Sequence, residues 1–222
     1  MTEENRKIVI PGEIIVEGTD FLPGEGTERQ GKNVVAMRYG IAEEVNKLVK
    51  VIPLSGVYTP RRGNVVIGKV ENITFNGWII NIGSANSCFL SVAEVSRYVN
   101  SDDLESVMTI GDMVVAKVFR TNRKGIDLSI KLRGFGKLDD GIIVNVNPNK
   151  VPRIIGKEGS MVNLIKEQTG CNITVGQNGM IWIKAESIEK ELLGKKAILF
   201  VAEKSIEHGL TDKVKDFLEG LK

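Results

Sequence analysis

The chain has 222 residues, of which 42% are hydrophobic and 26% are charged, and its formal net charge is +2. This ordinary globular composition argues against a disordered chain and against a membrane protein, and the length predicts more than one compact domain. The small net charge argues against a uniformly basic nucleic-acid binder, so any attraction for nucleic acid must come from a local patch. The middle third of the chain, with the largest excess of basic residues, is the favoured place.

The composition also bears on the cellular compartment of the protein and on metal binding. No apolar run approaches the roughly 18 to 20 residues that span a bilayer, and the first residues lack the pattern of a signal peptide, so we expect a cytoplasmic protein. Cys88 and Cys171 lie far apart and His208 is the only histidine, which argues against a metal site. We interpret the cysteines as buried thiols in a reducing compartment and expect no cofactor.

The first segment, residues 1–62, alternates short apolar runs with glycine and proline and therefore predicts a small β domain. Strands are expected at residues 8–10, 14–16, 33–40 and 48–54. Because so small a domain buries little surface, we expect it to dock on something else.

The second segment, residues 63–136, is a series of apolar runs with turn signals between them. It predicts strands at residues 65–70, 78–82, 88–90, 113–118 and 126–130. Five strands in this length favour a closed Greek-key barrel, the OB-fold, whose strand face and loops bind single-stranded nucleic acid. Basic residues around the last two strands are candidates for phosphate contacts; they are Lys117, Arg120, Arg123, Lys124, Lys131 and Arg133. A solvated hairpin is the alternative interpretation.

The third segment, residues 137–222, predicts an α/β domain with C-terminal helices. A strand at residues 141–145 and a short helix at 150–155 precede a glycine-framed turn, and an amphipathic helix follows at 160–169. Two strands, at 172–175 and 180–184, flank the tight hairpin turn Gly176-Gln177-Asn178-Gly179. Helical patterns begin again at residue 187.

The turn Gly156-Lys157-Glu158-Gly159 is the strongest functional signal in the chain. In KH domains a GXXG loop between two helices lets the nucleic-acid backbone approach the main chain and clamps about four nucleotides. Arg153, Ile154 and Ile155 complete the predicted RNA-binding loop, and we expect Ile154 and Ile155, with Val162 or Ile165, to form the floor for the bases. Replacing both glycines by aspartate should weaken RNA binding and leave folding intact. The alternative is a helix-turn-helix whose glycines only make the turn.

Two resemblances follow from these motifs. Residues 141–206 resemble a KH domain of the type I order, and residues 63–133 resemble an S1 motif through Gly68-Lys69-Val70, Phe89-Leu90-Ser91 and Leu128-Ser129-Ile130-Lys131. Both modules bind RNA in the families concerned. The aromatic residues that usually stack bases on the second S1 strand are replaced here by Asn76 and Ile79. We interpret Trp78, one position away, as core or contact surface rather than as a stacking platform. Phe89 occupies a position that is often aromatic in the family and is predicted to bind RNA, with a buried side chain as the alternative.

The complete order of a small β domain, an S1 motif and a KH domain resembles the RNA-binding cap subunit of the archaeal exosome. The phrases Val9-Ile10-Pro11-Gly12-Glu13 and Tyr58-Thr59-Pro60-Arg61-Arg62-Gly63 are similar to that family as well. The resemblance implies a non-catalytic subunit, present in three copies, alone or mixed with a second cap subunit type. These copies would sit on a hexameric ring of RNase PH-type subunits and guide single-stranded RNA into its channel for degradation or tailing from the 3′ end. The first domain would dock on the ring.

Other functions remain open at this point. The chain has no P-loop and no nucleophile motif, so intrinsic catalysis is disfavoured. A free-standing S1/KH regulator of transcription or translation is the main alternative, although antitermination factors of that type carry two KH copies in tandem. The bacterial phosphorolytic exonuclease places KH before S1 and adds catalytic domains. An architectural subunit that holds proteins rather than RNA is a third possibility, since the barrel lacks the usual aromatic pattern.

Overall fold

A computed structural model describes residues 7–95, 101–122, 125–207 and 209–220. The chain divides into two compact units, Met1–Gly56 and Val57–Lys222. No helix in these described ranges is long and apolar enough to cross a membrane.

The first unit consists of short strands in two sheets. The strands are β1 (Lys7–Val9), β2 (Ile14–Glu17), β3 (Leu22–Pro23), β4 (Thr27–Gln30), β5 (Asn33–Ala36), β6 (Gly40–Val45) and β7 (Leu48–Pro53). One sheet has the order β1-β6-β7-β3 and the other the order β2-β5-β4. Its core cluster is small, with Val9, Ala36, Ala42 and Val51 buried. The prediction of a small β domain is confirmed.

Strand β6 is absent from the sequence-based prediction for a local reason. The turn that joins it to β7 consists of Asn46 and Lys47, both with positive φ, at 51° and 65°. Such a two-residue turn usually has glycine at its second position. A lysine there conceals the hairpin signal, so the pattern indicates only the second of the two strands.

The barrel lies in the second unit. Its strands are β8 (Val65–Thr74), β9 (Gly77–Asn81), β10 (Cys88–Ser91), β11 (Met113–Asn122) and β12 (Gly125–Ser129), with a short β13 (Gly136–Lys137). The order is β12-β10-β9-β8-β11-β13, and pairing of β12 with β11 closes the barrel. Trp78 is fully buried and donates its Nε1–H to the Met108 carbonyl at 3.1 Å. The five-stranded OB-fold is confirmed, and Trp78 belongs to its core.

The remaining elements form the KH domain. They are β14 (Ile142–Asn145), α1 (Val151–Ile155), α2 (Ser160–Thr169), β15 (Asn172–Val175), β16 (Met180–Lys184), α3 (Ile188–Glu203) and α4 (Leu210–Glu219). The antiparallel sheet has the order β14-β16-β15. Helix α2 ends where Gly170 takes a left-handed conformation, as glycine commonly does after a helix. The type I order predicted for residues 141–206 is confirmed.

The barrel and the KH domain meet along one edge of β8. Strand β9 pairs with β8 only from Lys69 onward, where Lys69 lies opposite Asn81, so the edge at Val65 and Ile67 is open to another partner. Gln177 fills part of it: its N–H donates to the Val65 carbonyl at 2.7 Å, and its Oε1 accepts from the Val65 N–H at 2.8 Å. The hairpin between β15 and β16 therefore covers a strand edge that would otherwise present unpaired backbone groups.

Asn178 completes this joint. Its Oδ1 accepts from the Ile67 N–H at 3.2 Å, and its Nδ2 donates to the carbonyls of Ile67 at 2.7 Å and Ile82 at 2.9 Å. The side chain is 8% exposed. Gly176 is required beside it, because a Cβ there would lie 2.4 Å from the Asn178 Oδ1. The hairpin turn indicated by the sequence is thus also the link between the two modules.

Candidate nucleic-acid interface

The GXXG loop joins α1 to α2 and presents its two central side chains to solvent. Gly156 and Gly159 have φ of 75° and 82°, and Glu158 has φ of 53°. A Cβ on Gly156 would lie 2.7 Å from the Met161 nitrogen, so the chain can fold back into α2 only without a side chain there. Lys157 and Glu158 are exposed. The loop therefore offers an accessible main chain with a lysine beside it, which suits contact with a phosphate backbone.

The two glycines are not equivalent, and this corrects the expectation that both can become aspartate without affecting the fold. A Cβ added to Gly156 would meet the backbone of α2 at 2.7 Å, whereas the nearest atom to a Cβ at Gly159 would be 3.6 Å away. Aspartate at position 156 would therefore displace the start of α2. A test of RNA binding has to keep the glycines and change the residues between them.

The floor predicted for the bases is partly wrong. Ile154 and Ile165 are fully buried in the KH core, so neither side chain can contact a base directly. Ile155 and Val162 are half-buried and remain accessible. The physical reason is the helical period, which turns Ile154 and Ile165 toward the sheet and leaves their neighbours at the rim. Ile154 therefore packs in the core of the KH domain next to the loop.

A cleft of about 430 Å³ lies between the GXXG loop and the start of α4. Exposed Arg153 and Lys157 line one side, and Glu207 lies on the other. Glu207 accepts from Lys204 at 2.7 Å and from Lys213 at 2.6 Å, and these hydrogen bonds, chiefly that from Lys204, lower the pKa of its carboxyl. The carboxylate is thus balanced by two lysines, and Arg153 and Lys157 keep the cleft attractive to an anion.

On the barrel, the predicted RNA-binding residues fall into two groups along the outer side of β12. Phe89 and Arg120 both lie opposite Asp127, on the neighbouring strands β10 and β11. Lys117 lies opposite Ser129, and Lys117 and Lys131 line one cleft. Of the remaining predicted residues, Arg123 and Lys124 lie outside the described residues.

Phe89 is half-buried, and the end of its ring lies close to Gly77 on the neighbouring strand β9. A Cβ on Gly77 would lie 2.9 Å from the Phe89 Cζ and 2.1 Å from the Leu90 carbonyl oxygen. A side chain at position 77 would therefore clash with the Phe89 ring and with the backbone of β10. One side of the ring is used in packing, and the exposed remainder could still contact a base.

Lys131 is oriented by an ion pair with Glu94, whose Oε1 lies 3.1 Å from its Nζ. Burial raises the pKa of the Glu94 carboxyl, but hydrogen bonds from Ser129 and Lys131 outweigh burial, and the net effect is a lowered pKa. Glu94 stays charged at neutral pH and holds Lys131 at the cleft.

Metal binding finds no support in the described part of the chain, where no cluster of histidine, cysteine, aspartate or glutamate side chains could hold an ion. Cys88 and Cys171 are free and buried, as interpreted from the sequence.

Sequence reasoning missed the role of Gln177 and Asn178. A turn signal is local and says nothing about a partner more than a hundred positions away in the chain. No feature of the turn itself points to β8, because glutamine and asparagine also occur in turns that face solvent.

Comparisons with known proteins agree with the two modules. The S1 RNA binding domain family matches residues 59–131, and a KH domain family matches residues 141–189. Exosome complex component Rrp4 of Methanothermobacter thermautotrophicus is 39% identical over 217 residues, which are 97% of this chain and 69% of that protein. The protein of the same name from Nitrosopumilus maritimus is 38% identical over 220 residues, 97% of each chain. A solved structure described as an exosome complex RNA-binding protein is 32% identical, with a TM-score of 0.67, over 74% of this chain and 97% of that one.

Proposed function

This chain belongs to the Rrp4 family of exosome complex components, and we propose that it caps a hexameric ring of RNase PH-type subunits in the cytoplasm. In this role it is a non-catalytic, RNA-binding subunit. It recruits single-stranded RNA and guides the 3′ end into the central channel of the ring for degradation or tailing. Three copies occupy the ring, alone or with a second type of cap subunit.

The observation that carries RNA binding is the GXXG loop. Its backbone is held by glycine in a conformation that leaves the main chain accessible, with Lys157 exposed and Arg153 in the adjoining cleft. Lysine and arginine contacts to phosphate do not read the base sequence. The geometry therefore supports recruitment of RNA without strong sequence preference, as a general degradation complex requires.

Docking on the ring is supported by an apolar row in the first unit. Ile8 lies opposite Ile41, and Ile41 lies opposite Ile52, so the three side chains share one face of the sheet. Ile8 is 48% and Ile52 43% exposed. A contiguous exposed apolar patch commonly marks a protein–protein contact, and this row is our candidate for the ring contact.

The test is reconstitution with the RNase PH-type ring subunits of the same organism. Native mass spectrometry gives the number of copies bound, and degradation of a 5′-labelled single-stranded RNA gives the activity of the ring with and without the cap. We expect the chain to bind the ring and to speed degradation at limiting RNA. The double variant Ile8→Asp/Ile52→Asp should lose ring binding yet retain the RNA affinity of the free chain. Leu22→Asp, at the far edge of the same sheet, is the matched control and should bind the ring normally.

The outcomes separate the alternatives. Failure of the unaltered chain to bind the ring, with RNA affinity retained, would favour a free-standing S1/KH regulator. Ring binding without any RNA affinity would favour an architectural subunit. The first result would overturn the capping role, and the second would overturn the RNA-binding role.

A further inference from the structure

A second cleft, of about 640 Å³, lies on the barrel where β11 and β12 meet the segment that precedes β8. Its lining combines cations, one carboxylate and exposed apolar side chains; the principal residues are Arg62, Glu94, Lys117, Phe119, Lys131 and Leu132. We refer to it as the Phe119 cleft. It does not include the Phe89 position, where the S1 resemblance predicts base contact.

Phe119 owes its exposure to a β-bulge. Val118 lies opposite Leu128 and Arg120 lies opposite Asp127, so Phe119 is the extra residue with no partner on β12. Val118 is fully buried, whereas Phe119 is 44% exposed and Arg120 also faces solvent. Bulges re-aim a side chain and occur often next to functional sites. Here the bulge holds an aromatic ring at the surface of the barrel, in the same cleft as Arg62, Lys117 and Lys131.

The charges around the ring favour an anion. Arg62 is exposed and Lys117 is half-buried, while Lys131 has 53% of its side chain exposed although it pairs with Glu94. Three cations therefore face one carboxylate that is already paired with one of them. Leu132, 49% exposed, adds apolar surface next to the ring. A ligand that fits this cleft has a planar apolar part and a negative charge, and a nucleotide has both.

The position of the cleft ties it to the KH domain. Lys117 lies opposite Val65 in the β8–β11 pair, and Val65 is the residue whose N–H and carbonyl bond to Gln177 of the KH hairpin. A single strand that occupies the cleft would therefore pass beside the joint between the two modules. A contact here would lengthen the RNA path rather than compete with the GXXG loop.

We infer that the Phe119 cleft is a binding subsite for single-stranded RNA, in which a base stacks on Phe119 and the neighbouring phosphates contact Arg62, Lys117 and Lys131. The inference rests on the proposed function, since it assumes that the protein binds RNA. Stacking on an aromatic side chain tolerates any base and combines naturally with basic phosphate contacts. It would give the barrel an RNA contact away from Asn76 and Ile79.

The test compares two exposed apolar side chains on the same barrel. Ile110, 63% exposed in the turn before β11, lies outside the Phe119 cleft and is the matched control. In the full-length chain, Phe119→Leu should weaken binding of a fluorescein-labelled 12-nucleotide oligoadenylate roughly fivefold or more, as loss of one stacked base implies. Ile110→Ala should leave the affinity unchanged. Thermal melting of both variants checks that the barrel is intact.

A second pair of variants measures directly whether a base stacks on the side chain at position 119. Phe119→Trp should retain affinity and should lose tryptophan emission when the oligonucleotide binds, because a stacked base quenches an indole. Ile110→Trp should show no such loss. Unchanged affinity in Phe119→Leu, or equal losses from Phe119→Leu and Ile110→Ala, would overturn the subsite while RNA binding by the unaltered chain still stood. Equal quenching of Phe119→Trp by a polyglutamate peptide would also overturn it, in favour of a protein contact. Absence of RNA affinity in the unaltered chain would instead refute the proposed function itself.

Discussion

The Asp112 carboxylate precedes β11 and accepts hydrogen bonds from two sides. Its Oδ2 lies 2.8 Å from the Thr109 N–H nitrogen, 3.2 Å from the Thr109 hydroxyl and 2.8 Å from the Lys137 Nζ. Burial raises the pKa of this carboxyl, but the hydrogen bonds from Lys137 and Thr109 together outweigh it and lower the pKa below its ordinary value. The charged form is therefore the one that the fold stabilises.

This residue predicts a pH-dependent stability difference. Because the folded-state pKa lies below the unfolded value of about 3.9, the charge stabilises the fold above that pH, and the contribution is lost as the pH falls through the folded-state pKa. We expect Asp112→Asn to lower the free energy of unfolding by about 1 kcal/mol at pH 7. The difference from the unaltered chain should shrink below about pH 4. Urea titrations across this range measure it.

Asp139→Asn is the control for that experiment. Asp139 has 81% of its side chain exposed and lies 4.0 Å from Lys184, so its removal should have little effect at any pH, as is usual for exposed ion pairs. A loss for Asp112→Asn that is the same at every pH would mean that the shape of the side chain, and not its charge, stabilises the turn.

At the scale of elements, the GXXG loop gives a direct test of the KH surface. The double variant Lys157→Asp/Glu158→Asp keeps both glycines, and aspartate tolerates the left-handed conformation that Glu158 already has. Replacing the exposed lysine by a second acidic residue should repel phosphate, and we expect RNA affinity to fall about tenfold or more while the melting temperature stays the same. Fluorescence anisotropy with a single-stranded oligonucleotide measures the affinity.

The matched control for the loop is Lys166→Asp/Glu167→Asp, which places the same residue types in the last turn of α2, away from the loop. Equal loss from both double variants would show a general charge effect, and no loss from the loop variant would contradict the assignment of the KH surface. Gly156→Asp, by contrast, should lower the melting temperature, since its Cβ meets the backbone of Met161.

The elements differ in how far the sequence determines them. Strands β15 and β16 and helix α2 begin and end where the pattern predicts, because alternation, helical period and glycine boundaries all act locally. Non-local features escape such a pattern. The bulge at Phe119 leaves the run from residue 113 to 122 looking like a continuous strand, and the burial of Ile154 follows from where the sheet lies. The family resemblance supplied the RNA-binding interpretation, whereas individual contacts had to come from the structure.

At the scale of the whole molecule, the chain consists of two compact units that differ in the size of their buried cores. The unit Met1–Gly56 has a small buried cluster, and in the unit Val57–Lys222 two large cores are joined through one hairpin. Asn178 and Gln177 bond backbone groups of β8 at that joint, so separation of the barrel from the KH domain would break these hydrogen bonds and expose the edge of β8. We therefore expect these two modules to unfold together.

Two spectroscopic probes can test this coupling in one protein. In Trp182→Phe the remaining tryptophan is Trp78, buried in the barrel, whereas all α-helices of the described residues belong to the KH domain. Tryptophan fluorescence then reports the unfolding of the barrel and far-ultraviolet circular dichroism reports that of the KH domain, and the two urea transitions should coincide.

Adding Asn178→Asp replaces a donor by an oxygen that faces carbonyls at 2.7 Å and 2.9 Å. We expect the transitions to separate, with a loss of about 2 to 3 kcal/mol in the less stable module. Asn172→Asp, at an exposed position of β15, should leave them coincident. Separate transitions in Trp182→Phe itself would mean that the hairpin joins the modules without coupling them, and the RNA path across the joint would then have to tolerate motion between its two halves.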